Sequence, residues 1–226
     1  DILGSQAEAI RQTGKVLRIH GTVIPVSYTK TNLSAQYEDG SVLKEEHLID
    51  EPSHDGTLKI EKVFLKPKAL ANPEALERIK TADLLVLGPG DLYTSVLPNL
   101  LVSGITKAII NSNAKVIYVM NLMTKFRQTY DFKTSDHLKI LENYLGKRIN
   151  YLIINNGSIN KKALGIYAKY QEFPVVDDLI NKSYYQTIKI DVAAKNIVYK
   201  STSDSLVRSL IRHDSKKLAE VLISIL

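Results

Sequence analysis

Ala82-Asp83-Leu84-Leu85-Val86-Leu87-Gly88-Pro89-Gly90-Asp91-Leu92-Tyr93-Thr94-Ser95-Val96-Leu97-Pro98-Asn99-Leu100-Leu101 is the stretch that decides the fold. Its apolar run, Leu84 to Leu87, is continuous rather than alternating and stops dead at Gly-Pro-Gly. A short strand that is apolar on both faces belongs inside a parallel sheet covered on both sides. The residues after the turn predict a helix from about Pro98 to Asn111.

The same rhythm repeats downstream. Lys115-Val116-Ile117-Tyr118-Val119-Met120 is apolar and stops at Asn121. A helix is predicted from Ser135 to Leu145, ended by Gly146, and Tyr151-Leu152-Ile153-Ile154 then stops at Asn155-Asn156-Gly157. Strands alternating with helices read as βαβ units around a buried parallel sheet. Further strands are predicted over 186–192 and 196–199, before a closing helix from Ser215 to Ile225 with Leu218, Val221 and Leu222 on one face.

Upstream the pattern is different. A helix is predicted from Ser5 to Val16, with Ala9, Ile10 and Leu17 at helical spacing. Leu17 to Val26 has the β-branched character of a strand. Leu33 to Leu43, broken by Glu38-Asp39-Gly40, reads as a hairpin, and Lys59 to Phe64 alternates like a half-exposed strand. Residues 17–67 are therefore expected to form a β-rich antiparallel insertion, and 73–226 an α/β core opened by an Asn72 cap with Pro73 in the first helical turn. The whole chain, 1–226, is expected to be a single domain.

Composition narrows the function classes. The 226 residues are 44% hydrophobic, enough to bury a core, so a disordered chain is excluded. The absence of cysteine removes disulfide scaffolds, cysteine nucleophiles, zinc ribbons and iron–sulfur sites. The +6 charge is mild and spread along the chain, which argues against a nucleic-acid partner. No apolar run approaches the ~20 residues of a membrane-spanning helix, and no signal peptide is visible. A cytoplasmic location is the expectation. Residue 1 is Asp rather than Met, so the chain is expected to be processed, trimmed or a fragment.

In parallel α/β sheets, ligands bind beyond the carboxyl ends of the strands. Three such ends are small and polar: Gly88-Pro89-Gly90-Asp91, Asn121-Leu122-Met123-Thr124 and Asn155-Asn156-Gly157. Gly88, Pro89 and Gly90, followed by Tyr93, Thr94 and Ser95, can present backbone N–H groups and hydroxyls to a phosphate. The same residues also suit a tight turn with Ser95 as a helix cap. Asn121 can bind a base, a sugar hydroxyl or a phosphate, or fix its own turn. Thr124 and Thr129 are weaker versions of the same reading, and Asn155 and Asn156 either line the same cleft or form a turn. Asp136 suits a helix N-terminus; His137 is either a ligand group or a packed interior histidine. Arg212 can reach an anion bidentately or lie in solvent. Asp91 is the sole carboxylate in a polar strand-end loop. No metal-ligand spacing and no G-x-S-x-G elbow occurs, which favours binding over catalysis.

Residues 82–101 resemble the signature of the gluconeogenesis-factor (YvcK-like) family, related to 2-phospho-L-lactate transferase (CofD-like). Asn121-Leu122-Met123-Thr124 and Asp136-His137 resemble its next motifs in order. Gly21-Thr22-Val23-Ile24-Pro25 and Glu38-Asp39-Gly40 resemble its β insertion, and Arg212-His213-Asp214 its C-terminal motif. The resemblance implies a Rossmann-like three-layer α/β/α fold with a mostly parallel sheet. It implies a UDP-sugar or other nucleotide ligand, and a regulatory role in carbon metabolism, cell-wall precursor supply and cell shape. The CofD-like branch implies instead a transferase that moves a phospholactyl group to a deazaflavin in coenzyme F420 biosynthesis, with Mg²⁺. No cofactor is otherwise expected; a homo-oligomer is compatible with the resemblance. By motif match, Gly88, Gly90, Tyr93, Thr94, Ser95, Asn99, Asn121 and Thr124 would line the ligand cleft, with Arg212 contributing from the C-terminal motif.

The chain departs from the family pattern in three places. The family's opening Gly-Gly-Thr-Gly loop and Asp-Asp-Gly-Gly segment do not occur, so the chain is expected to be N-terminally truncated. Asp91 stands where Ser is usual after Gly-Pro-Gly, and Lys125-Phe126-Arg127-Gln128-Thr129 replaces a Gly-Glu-Thr ending.

Overall fold

The computed structural model describes residues 5–51, 55–180, 184–196 and 209–226. Its order is α1 (Gln6–Val16), β1 (Asn32–Tyr37), β2 (Val42–Lys44), α2 (Glu46–Asp50), β3 (Ile60–Lys66), α3 (Pro73–Thr81) and β4 (Leu84–Leu87). A π-helical turn (Leu92–Val96) leads into α4 (Leu97–Leu100) and α5 (Ile105–Asn111). The remainder is β5 (Lys115–Val119), α6 (Thr134–Leu145), β6 (Tyr151–Asn155), α7 (Lys161–Lys169), β7 (Gln186–Ile190) and α8 (Ser215–Ile225).

Strands β4 to β7 form one parallel sheet in the order β4-β5-β6-β7. Strand β5 shows why the sequence was apolar throughout. Val116, Tyr118 and Met120 enter the large core shared with Leu97, Leu100, Ile105, Ile109, Leu138 and Leu141 of α4, α5 and α6. Ile117 and Val119, which alternate with them, face Val221 and Ile225 of α8 on the other side. Helices thus cover both faces, giving the expected three-layer α/β/α core. Leu218 and Leu222 join Val221 on that face of α8.

The second sheet is antiparallel, ordered β2-β1-β3. Its hairpin turns at Glu38-Asp39-Gly40, with Gly40 at φ +84°. Leu33, Ala35 and Tyr37 of β1, with Ile60 and Val63 of β3, join the core that covers one face of the parallel sheet. The Tyr144 hydroxyl of α6 accepts the Val63 N–H at 2.8 Å, fastening the two parts.

Several expectations are corrected. Residues 17–26 form no strand. Their carbonyls serve α3 instead: Asn72 Nδ2 donates to the Pro25 carbonyl at 2.9 Å, and its N–H to that of Val26 at 2.8 Å. The predicted helix 98–111 is two helices, because Gly104 at φ +103° turns the chain between α4 and α5. Helices α2 and α7 were not anticipated. The strand expected over 186–192 ends at Ile190, and most of the one expected over 196–199 lies outside the described residues. No helix among the described residues is long and apolar enough to cross a membrane.

Candidate functional site

Strand β4 ends at Gly88, whose φ of +83° suits glycine. A Cβ there would lie 2.9 Å from the Val119 carbonyl oxygen, so the loop passes directly against the end of β5. The Gly88–Pro89 peptide bond is cis. A Cβ on Gly90 would stand 3.0 Å from the Cβ of Ser95. The chain then enters the π-helical turn, with the Ser95 and Val96 N–H groups donating to the Asp91 carbonyl at 2.9 and 3.0 Å. Such wide turns concentrate at functional sites.

The predicted residues of this segment divide by exposure. Gly88 and Gly90 are half-buried, while Pro89, Ser95 and Asn99 are exposed. Asn99 Nδ2 donates to the Ser95 carbonyl at 2.8 Å. Tyr93 and Thr94 are buried and turned inward. The Tyr93 hydroxyl donates to the Ile60 carbonyl at 3.4 Å, and the Thr94 hydroxyl to Asp50 Oδ1 at 3.1 Å.

Beyond β5, Asn121 is half-buried. Its Oδ1 accepts the Leu122 N–H at 3.0 Å, which directs Nδ2 to Asp91 Oδ1 at 3.1 Å. The β4 and β5 loops are therefore joined by one carboxylate–amide pair. Thr124 is buried and exchanges two hydrogen bonds with Phe173, at 2.7 and 3.0 Å. These open a strap, Phe173 to Asp178, which continues with Val175 on Leu122 and Val176 on Thr134. Asp178 then accepts from the Ser135 N–H and hydroxyl at 3.0 and 2.6 Å, at the start of α6. Thr129 folds its hydroxyl back to accept the Lys125 N–H at 2.8 Å.

Asn155 ends β6 with a committed side chain. Oδ1 accepts from Gly157, Val192 and Ala193 N–H groups at 3.3, 3.0 and 3.1 Å, and Nδ2 donates to the Gly157 carbonyl at 2.9 Å. Asn156 is exposed, its Nδ2 on the Lys189 carbonyl at 3.1 Å. Arg212 is exposed, its Nε on the Ser209 carbonyl at 3.3 Å. The residue beside it reaches the strand ends: His213 Nε2 donates to the Met120 carbonyl at 3.1 Å. Burial holds this imidazole below its ordinary pKa.

His137 is buried, 5.6 Å from the Phe132 ring and edge-on to it. Its Nδ1 is 3.5 Å from the Tyr118 hydroxyl, and burial drives its pKa down to about 4, against a smaller opposing pull from Asp136. It packs beneath the strand ends as a neutral interior group. Asp136 accepts the Lys133 N–H at 2.9 Å and completes the helix start.

The sequence showed one carboxylate at the strand ends; the fold assembles three. Asp50 arrives from α2 and Glu172 from the residue just before the strap. Burial pushes Asp91 above the usual carboxylate range; Lys125 opposes this, Asp50 adds to it, and the Asn121 hydrogen bond opposes it. Burial likewise raises Glu172, opposed by Lys125, 4.0 Å away, with Asp91 adding to the rise. Asp50 Oδ1 also accepts from Gln128 Nε2 at 2.6 Å. Gln128 is 3% exposed, and its Oε1 is buried with no hydrogen-bond partner among the described residues. Sequence reasoning missed Asp50 and Glu172 and marked Lys125 and Gln128 only as part of a departure from the family pattern, since nothing in their spacing announces that they converge.

Between the ends of β5 and β6 lies a cleft of about 220 Å³, lined by Asn121, Leu122, Asn155, Gly157 and Val175 among others. This is below the roughly 300–1,000 Å³ of a pocket that encloses a drug-sized ligand.

Residues 1–198 match the family model described as 2-phospho-L-lactate transferase CofD. The chain is 33% identical to a gluconeogenesis factor of Bacillus subtilis, over 100% of this chain and 68% of that protein. It is 34% identical to a gluconeogenesis factor of Listeria monocytogenes, over 98% of this chain and 65% of that protein. A crystal structure of a protein from Bacillus halodurans superposes with a TM-score of 0.83 at 33% identity, covering 98% of this chain and 68% of that one. The chain spans about two thirds of the length of these relatives.

Proposed function

The chain belongs to the 2-phospho-L-lactate transferase CofD family, alongside its gluconeogenesis factors, and from that premise we propose that it binds a nucleotide-sugar as a regulator of carbon metabolism. Its role would extend to cell-wall precursor supply and cell shape, in the cytoplasm. The supporting observation is the meeting of the β4 and β5 loops. Gly88 touches the end of β5, and Asp91 is hydrogen-bonded to Asn121. That contact forms one polar floor beyond the carboxyl ends of two parallel strands, where α/β sheets place ligands.

The geometry supports a division of labour among the strand-end residues. Ser95 and Asn99, both exposed, are available at the rim. Arg212 would come from the C-terminal segment whose neighbour His213 is anchored on Met120. Tyr93, Thr94, Thr124 and Asn155 would shape the floor through their internal hydrogen bonds.

Isothermal titration of the chain with UDP-N-acetylglucosamine tests the reading. Saturable submillimolar binding without turnover is expected; heats no larger than dilution, for this ligand and for UDP, would sink it.

The family description, 2-phospho-L-lactate transferase CofD, supports a second reading, which we propose as transfer of a phospholactyl group to a deazaflavin. Mg²⁺ is implied by that chemistry. Among the described residues, no three His, Cys, Asp or Glu side chains are placed to hold a metal ion. Product formation from the deazaflavin acceptor would favour this reading over the regulator.

A further inference from the structure

The cleft between the ends of β5 and β6 differs in chemistry from the loops beside it. Leu122, Ile154, Ile159, Leu164 and Val175 give it apolar walls, and no charged side chain among the described residues lines it. Ile159, Leu164 and Val175 are only half-buried, so the cleft holds apolar surface open to an occupant. At about 220 Å³ it is too small for a whole nucleotide-sugar and takes one portion of it.

The donors around the cleft are spent on neighbouring groups of the chain. Asn155 Oδ1 takes the N–H groups of Gly157, Val192 and Ala193. The Asn156 N–H goes to the Ile190 carbonyl at 3.2 Å, the Leu122 N–H to Asn121 Oδ1 at 3.0 Å, and the Val175 N–H to the Leu122 carbonyl at 3.2 Å. A diphosphate buried here would lose its water and find neither a cation nor these backbone donors, which is costly. A sugar ring meets the same difficulty, since hydroxyls surround it and each needs a partner once buried. A nucleobase does not. Its flat faces pack on apolar side chains, and its polar atoms lie on the ring edge, at the mouth of the cleft.

We propose that this cleft is the nucleobase site: the base packs against Leu122, Ile159, Leu164 and Val175, while the diphosphate and the sugar stay outside it. This inference rests on the nucleotide-sugar reading above. It also gives the strap a binding role, since its bond to the Leu122 carbonyl holds Val175 at the cleft.

The test is NMR of the chain, methyl-labelled at Ile, Leu and Val, saturated with UDP-N-acetylglucosamine. Nuclear Overhauser effects from the two uracil ring protons to the methyls of Ile159, Leu164 and Val175 are expected. Contacts to those methyls from the N-acetyl methyl or the sugar ring instead, or from no ligand proton at all, would overturn the assignment and leave nucleotide-sugar binding standing. Ile159→Trp, which fills the cleft, provides a second measurement by titration. It should weaken UDP and UDP-N-acetylglucosamine alike, by about tenfold or more. Wild-type affinity for both in the folded variant would place the base elsewhere. A wild type that binds neither ligand would overturn the nucleotide-sugar reading itself, and this inference with it.

Discussion

Gln128 donates its side-chain amide to Asp50 Oδ1 at 2.6 Å, across 78 residues of sequence. The bond joins the loop after β5 to α2, the short helix beside the antiparallel sheet. Thr94 shares the same oxygen, so one carboxylate fixes both strand-end loops to that sheet.

Asp50→Ala would leave the buried Gln128 amide and the Thr94 hydroxyl without their acceptor. Losing a buried charge-assisted partner costs roughly 1–3 kcal/mol. A drop of about that size in unfolding free energy is expected by urea titration. An unchanged midpoint would show that the two loops are held by packing alone.

Gly88→Ala should be costlier than its single methyl suggests. The residue would have to hold φ +83° with its Cβ 2.9 Å from the Val119 carbonyl oxygen. Strain of this kind costs on the order of 1–3 kcal/mol. Thermal unfolding should show a clear fall in midpoint, whereas a wild-type midpoint would mean the β4 loop relocates freely.

Asp91 and Glu172 both titrate above the usual carboxylate range, chiefly through burial. A carboxyl whose folded pKa is raised favours the folded state only while protonated. Its contribution is full below the unfolded value of about 4 and is lost as pH rises through the raised folded value. Asp91→Asn should therefore be more stable than wild type at neutral pH, and the gap should close on acidification to about pH 4. A gap that is flat with pH would contradict the burial of Asp91.

His137 works in the opposite direction. Its pKa falls from 6.5 to about 4 on burial. The stability from keeping it neutral is present above pH 6.5 and is lost as pH falls toward about 4. The full span corresponds to about 3 kcal/mol. His137→Gln should flatten the stability profile between those limits, and an NMR titration of the imidazole that centres near 6.5 would exclude the assignment.

The parallel sheet was legible because each strand is buried on both faces. Ile117 and Val119 meet α8 while Val116 and Tyr118 meet the other helices, so the run could only be apolar. Residues 17–26 misled because β-branched residues favour a strand only where a partner strand exists. Here Pro25 and Val26 are used to cap α3 instead. Helix α7 escaped notice because Ala163 is its only buried residue, which leaves almost no apolar stripe to read. The glycines and Asn121 of the candidate site were readable from their place at strand ends. Asp50, Gln128 and Glu172 were not, because their meeting is made by tertiary packing of segments far apart in sequence.

Asn155 makes the end of β6 a single kinetic unit. One side-chain oxygen receives the N–H groups of Gly157, Val192 and Ala193. All three amides lose their acceptor when the asparagine side chain is removed, so Asn155→Ala should speed deuterium exchange at Gly157, Val192 and Ala193 together; unchanged exchange at any one of them would show that it is protected by other contacts.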